Sequence, residues 1–132
     1  MNQKILLADD DEEDWEILLE AFKELNAEHA IHFKENGREI VTLLESTVEK
    51  DFPSLIVLDL NMPVLNGTET LKILKTNKKF RHIPVIIYST SINPFEKDKC
   101  LLLGAERYIT KPVSFKESIE TARFFLNYEV QN

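Results

Sequence analysis

The chain is poor in cysteine, glycine and basic residues, and each shortage removes a class of protein. Cys100 is the only cysteine among 132 residues, so no intramolecular disulfide can form. It stands in Lys99-Cys100-Leu101-Leu102-Leu103, a setting for a small buried hydrophobe rather than a nucleophile. The three glycines, Gly37, Gly67 and Gly104, are too scattered for a glycine-rich phosphate loop. The 16 Lys and Arg residues face 23 Asp and Glu, a net charge of -7. Proteins that track a nucleic-acid backbone carry the opposite bias, so nucleic acid is not an expected partner. No apolar run approaches the ~20 residues that span a bilayer, and Ile5-Leu6-Leu7 is too short for a signal-peptide core. The expectation is one cytoplasmic domain over residues 1–132, without a membrane partner or an output domain.

What is present alternates between two patterns. Ile5-Leu6-Leu7-Ala8, Ser54-Leu55-Ile56-Val57-Leu58 and Pro84-Val85-Ile86-Ile87-Tyr88 are short, nearly continuous apolar runs, as strands covered on both faces read. Ile31-His32-Phe33 and Arg107-Tyr108-Ile109 are weaker strand candidates. Helical spacing joins Ile17, Leu18, Ala21, Phe22 and Leu25, then Ile40, Val41, Leu43, Leu44 and Val48. A third helix is predicted from about Thr68, as its cap, through Leu71, Ile73 and Leu74. A fourth holds Cys100, Leu101 and Leu103 and stops at Gly104, and a fifth runs from about Ser114 to Tyr128. In that last helix Phe125 falls on the core stripe and Phe124 off it. Alternating strands and helices predict an α/β fold, a parallel sheet between two helical layers. Such sheets bind ligands beyond the carboxyl ends of their strands.

Those ends carry chemistry. Asp9-Asp10-Asp11-Glu12-Glu13-Asp14 follows the first strand, Asp59-Leu60-Asn61-Met62-Pro63 the third, Ser89-Thr90-Ser91 the fourth and Thr110-Lys111-Pro112 the fifth. Oxygen donors of this kind suit a hard cation such as Mg²⁺. A lysine supplies a point charge for phosphate, and an aspartate can itself be a nucleophile. On their own, Asp9 and Asp10 serve equally well as metal ligands or as a solvated helix start. Asp11 to Asp14 read as the first helical turn. A calcium loop starting at Asp9 fails because Asp14 stands where that loop needs glycine. Trp15, slightly off the apolar stripe, is expected to be half-exposed beside this acidic mouth.

Taken together, these segments resemble the receiver domains of two-component response regulators over essentially the whole chain. Asp9-Asp10 follows Lys4-Ile5-Leu6-Leu7-Ala8; Leu55-Ile56-Val57-Leu58-Asp59-Leu60-Asn61-Met62-Pro63 leads to Gly67; Ser89 and Tyr108-Ile109-Thr110-Lys111-Pro112 follow at matching spacing. The resemblance implies a flavodoxin-like doubly wound (βα)5 fold with a five-stranded parallel sheet in the order 2-1-3-4-5. It implies that Asp59 accepts a phosphoryl group from a phosphohistidine, with a sensor histidine kinase or a histidine phosphotransfer protein as partner. Asp10, Asp59 and the backbone carbonyl of Asn61 would ligate Mg²⁺, with Asp9 acting through water. Ser89 would donate its hydroxyl to the phosphoryl group and Lys111 would pair with it. Tyr108 would be the aromatic switch residue, and the surface of the fourth helix, fifth strand and fifth helix would carry the output. The Lys111-Pro112 bond is expected to be cis, and the oligomeric state to be a monomer or a phosphorylation-dependent dimer. Such a domain phosphorylates and dephosphorylates itself, and is not a metabolic enzyme.

Two positions depart from the commonest pattern. Ser89 replaces threonine but keeps the hydroxyl, and Thr90 stands where a smaller alanine is frequent. The stretch between Asp10 and Asp59 is also long, which favours extra residues around the second helix. A phosphatase of the haloacid dehalogenase kind also uses an aspartyl nucleophile and Mg²⁺, but wants a second Asp where Asn61 stands. A pseudo-receiver, folded alike but never phosphorylated, is the other alternative; the intact Asp9, Asp10, Asp59, Ser89 and Lys111 set argues against it.

Overall fold

The apolar runs become the centre of a parallel sheet. In the computed structural model, which describes residues 4–128, the strands are β1 (Ile5–Ala8), β2 (Ile31–Lys34), β3 (Leu55–Leu58), β4 (Val85–Ser89) and β5 (Arg107–Thr110). The two ends of the expected 1–132 span lie outside the described residues. The helices are α1 (Glu12–Glu24), α2 (Gly37–Glu45), α3 (Gly67–Thr76), α4 (Pro94–Leu102) and α5 (Phe115–Leu126). Short 3-10 turns at Glu28–Ala30 and Glu49–Asp51 occupy part of the long stretch between β1 and β3. The strand order is β2-β1-β3-β4-β5, all pairs parallel, as the resemblance implies.

Side-chain alternation divides the core in two. Ile5, Leu7, Leu55, Val57, Ile86 and Tyr88 pack with Leu18, Ala21 and Phe22 of α1 and Ala122 and Phe125 of α5. Leu6, Ala8, Ile56, Leu58, Val85 and Ile87 pack on the other face with Ile40, Leu44, Leu71, Leu74 and Cys100. Burial on both faces is why β1, β3 and β4 read as unbroken apolar runs, whereas the edge strands β2 and β5 are half-exposed. Cys100 is buried, as its neighbours suggested.

Each helix starts where a side chain can replace a missing backbone partner. Asp11, Asn36, Asn66, Asn93 and Ser114 accept bonds from the N–H groups of Glu13, Glu39, Glu69, Phe95 and Glu117. The cap of α3 is therefore Asn66 and not Thr68. Glu69 decides this, because its side chain accepts from the Asn66 N–H at 3.0 Å and completes a capping box. Ile17 is also displaced from its expected place: it is 49% exposed, at the edge of the stripe formed by Leu18, Ala21, Phe22 and Leu25. The α5 helix ends at Leu126, two residues before Tyr128.

Two glycines have structural work of their own. Gly104, at φ +110°, ends α4 in the left-handed region. At Gly67 a Cβ would lie 2.2 Å from the carbonyl oxygen of Asp59, so only glycine lets α3 begin against the residue after β3. The peptide bonds of the described residues are all trans, including Lys111–Pro112. The expected cis form is thus not adopted, and only about 0.5–1 kcal/mol separates the isomers before proline.

Candidate phosphoryl-acceptor site

The residues that follow the strands are held by one more rung of the sheet. Asp9 N donates to Lys34 O at 3.0 Å, Asp59 N to Ala8 O at 3.0 Å and Lys111 N to Ser89 O at 2.8 Å. Alternation then sends the side chains of Asp9, Asp59 and Lys111 to the face shared with Leu7, Val57 and Ile109, toward α1 and α5. The sheet thereby brings together groups that lie 50 and 102 residues apart in the chain.

Lys111 is the hub. Its ammonium donates to Asp9 Oδ2 and to Asp14 Oδ2, both at 2.7 Å, and stands 3.6 Å from Asp59 Oδ2. It also lies 5.7 Å above the Tyr88 ring. Asp59 is fixed at its other oxygen, where Oδ1 accepts from the Leu60 N–H at 2.9 Å. Asp9 Oδ1 accepts from Asp11 N at 2.9 Å. Asp9, Asp10 and Asp59 each offer a carboxylate oxygen within 4.8 Å of the others; Asp9 and Asp59 are buried and Asp10 is exposed. An all-oxygen set with one open side fits a hard divalent cation that keeps part of its water.

Burial drives the electrostatics. It raises the Asp59 carboxyl from the usual 3.8 to about 6; the charge of Lys111 opposes this, and Asp9 and Asp10 add to it. Burial likewise raises Asp9, outweighing its bonds from Lys111 and Asp11. For Lys111, burial works to lower the ammonium, but the bonds to Asp14 and Asp9 outweigh it, and its pKa lies above the ordinary lysine range.

The remaining expected residues form a second group. Ser89 is fully buried at the end of β4, and its Oγ accepts from the Ser91 N–H at 3.1 Å. The half-buried Tyr108 donates its hydroxyl to Ser91 O at 2.9 Å, which ties β5 to the β4–α4 loop. Beside it, a groove of about 810 Å³ is lined by Leu101, Tyr108, Val113 and Phe124, among others. Arg107 lies 5.4 Å over the Phe124 ring, while Phe125 is fully buried, as its place on the stripe indicated. Asn61 sits two residues beyond Asp59 in the exposed part of the β3–α3 loop. Trp15 is half-buried, stacked 5.3 Å from Phe33, and its indole N–H donates to the backbone carbonyl of Asp9.

A family model for the response regulator receiver domain matches residues 5–123. The chain belongs to this family. The dehalogenase-type alternative is thereby set aside. Protein PilG of Pseudomonas aeruginosa is 32% identical over 89 residues, 64% of this chain and 66% of that protein. The chain thus spans just under two thirds of that relative's length. Among solved structures, the phosphorylated cyanobacterial phytochrome response regulator RcpA superposes with a TM-score of 0.82 at 29% identity, covering 96% of each chain. The Mn²⁺-bound form of response regulator Rcp1 superposes with a TM-score of 0.82 at 28% identity, covering 97% of each. No helix among the described residues is long and apolar enough to cross a membrane.

One residue of this receiver domain's acidic mouth escaped the sequence reading. Asp14 lies in the first turn of α1, as its place in the acidic run indicates, yet its carboxylate also reaches Lys111. The sequence holds a sign of this: Asp14 is four residues before Leu18, so it continues the buried stripe of α1 instead of its solvent face.

Proposed function

We propose that this receiver domain is a phosphorylation switch in which Asp59 takes a phosphoryl group from a phosphohistidine of a sensor kinase or a histidine phosphotransfer protein. The observation that carries the proposal is Lys111, 3.6 Å from a buried Asp59 carboxylate whose neighbours Asp9 and Asp10 complete an oxygen cluster. In the transfer, the P–N bond breaks with its electron pair kept by nitrogen, and a bond forms from phosphorus to an Asp59 oxygen. Hydrolysis later returns the free aspartate. The carboxylates of Asp10 and Asp59 and the carbonyl of Asn61, with Asp9 acting through water, would hold Mg²⁺, which would supply positive charge to the crowded oxygens.

The chain's own residues do the positioning. Leu60 N–H orients the Asp59 carboxylate, and Lys111 offsets charge on the incoming group. Ser89 turns its hydroxyl to a phosphoryl oxygen and releases its contact with Ser91 N–H. Because Tyr108 is bonded to Ser91 O, that rearrangement reaches β5 and the groove between α4 and α5, the proposed output surface. The partner bound there takes the signal or relays the phosphate.

Incubation with acetyl phosphate and Mg²⁺ is expected to add one phosphoryl group, seen in the intact mass and absent from Asp59→Asn. No modification, and no binding of beryllofluoride, would mark a pseudo-receiver instead. Trp15 provides an independent readout, since it is the only tryptophan and its indole holds the Asp9 carbonyl. Its fluorescence is expected to change on Mg²⁺ addition, and an unchanged spectrum at saturating metal would detach the cation from Asp9.

A further inference from the structure

The Lys111 ammonium has three N–H groups, and two of them are engaged by carboxylates at equal distance. Those two carboxylates are not equivalent. The Asp9 side chain is 1% exposed, so it stays inside the mouth beside Asp59 when Lys111 moves. Asp14 is 31% exposed and sits on the first turn of α1, where water can replace the lysine. The Lys111 side chain is itself only 8% exposed and keeps the bond to Asp9 when Asp14 lets go. What Asp14 adds is a second negative charge that draws the ammonium toward α1 and away from Asp59.

From this we infer that Asp14 is a positioning residue that restrains Lys111 and so weakens its hold on a phosphoryl group at Asp59. The inference rests on the phosphoryl-acceptor role proposed for Asp59. In the unmodified protein, Asp14 shares the charge of Lys111, the one cation among the described residues that pairs with Asp59. When an anionic phosphoryl group arrives, the two compete for the same ammonium, and the partly exposed Asp14 yields to solvent. The domain thereby carries a built-in opposition to its own phosphorylated state, set by a residue that acts only through Lys111. An aspartate one turn before Leu18, at the half-exposed end of the apolar stripe of α1, is accounted for by this contact.

The test uses beryllofluoride with Mg²⁺, followed by fluorine NMR, as a stand-in for the phosphoryl group. Asp14→Asn keeps an acceptor oxygen and removes the charge; it is expected to bind beryllofluoride about tenfold more tightly than the wild type, the scale of one charge-assisted hydrogen bond. Asp14→Ala, which removes the contact altogether, is expected to move in the same direction. In a Lys111→Met background the gain from Asp14→Asn should fall below about twofold, because the restraint acts through the lysine. Unchanged or weaker binding by the Asp14 variants overturns the inference, and so does a full gain that survives without Lys111. If the wild type itself binds no beryllofluoride, the acceptor role of Asp59 is refuted and the restraint falls with it. If the wild type binds and the variants are not tighter, the restraint alone is refuted.

Discussion

Asp59→Asn is expected to make the metal-free protein more stable at pH 7.5, by about 2–3 kcal/mol, while removing its capacity for phosphorylation. The reason is the environment of Asp59. Its carboxyl is pushed from the usual 3.8 to about 6 by burial, with the repulsion of Asp9 and Asp10 added and the attraction of Lys111 only partly offsetting it. An acid whose folded pKa lies above its unfolded value binds its proton more tightly when folded. Its contribution to stability is therefore full below about pH 4 and is lost as the pH rises through about 6. At pH 7.5 the folded protein carries the whole cost of the charge. Asparagine has no charge to bury and keeps an oxygen that can accept from Leu60 N–H, so the cost disappears. Urea unfolding in chelator at pH 7.5 and at pH 4 checks this. The gain should be large at the first pH and close to nothing at the second. An asparagine variant no more stable than the wild type at pH 7.5 would refute the electrostatic account. Saturating Mg²⁺ should narrow the gap, because the cation stabilises the protein that keeps the aspartate.

This trade is common at sites that need charge where folding alone would not place it. In the proposed switch, a divalent cation among Asp9, Asp10 and Asp59 would relieve the instability built into Asp59.

How much of this was legible beforehand varies by element. The central strands β1, β3 and β4 could be read directly, since burial on both faces leaves no polar residue to interrupt Leu55 to Leu58 or Val85 to Ile87. The strand order could not be read from periodicity, which is blind to which strands are neighbours; it came with the family resemblance. The fourth helix gave the faintest pattern because only Cys100 on it is buried, and Phe95 and Leu102 are 83% and 88% exposed. The cap of α3 is Asn66 and not the expected Thr68. There the deciding partner, Glu69, acts through a side chain three residues away.

The site divides along the same line. The convergence of Asp9, Asp10, Asp59 and Lys111 was legible because strand ends in this class of sheet meet at one mouth, but Asp9 and Asp10 alone read equally well as a helix start, and their roles came with the family resemblance. Asp14 was hidden by a sufficient local explanation. Acidic residues stabilise a first helical turn wherever it occurs, and the contact that gives Asp14 a second role comes from a residue 97 positions later. The link from Tyr108 to Ser91 is of the same tertiary kind.

Lys111→Ala is expected to have the opposite sign to Asp59→Asn and a comparable or larger size, a loss of about 2–4 kcal/mol at pH 7 in the absence of metal. The raised pKa of Lys111 means that its stabilising contribution is fully present at every pH below the ordinary lysine value and fades only as alkaline pH passes its folded one. At neutral pH, then, the substitution removes all of it. Asp9 loses the partner at 2.7 Å that offsets its burial, and Asp59 loses the nearest opposing charge. Both carboxyls, already raised, must rise further once the lysine is gone. Acidification consequently rescues the variant: its deficit should shrink as the pH falls from 7 toward 4, when the orphaned carboxyls take up protons and the repulsion ends. Mg²⁺ should rescue it by a second route at neutral pH, replacing one positive charge with two among Asp9, Asp10 and Asp59. Neither rescue would follow if the loss came only from the missing aliphatic stem, because a packing defect is indifferent to both protons and magnesium. Denaturant midpoints at pH 7 and pH 4.5, each with and without Mg²⁺, separate the two causes. A deficit that stays constant across all four conditions would show that Lys111 is a structural residue and not the counter-charge of the acidic mouth.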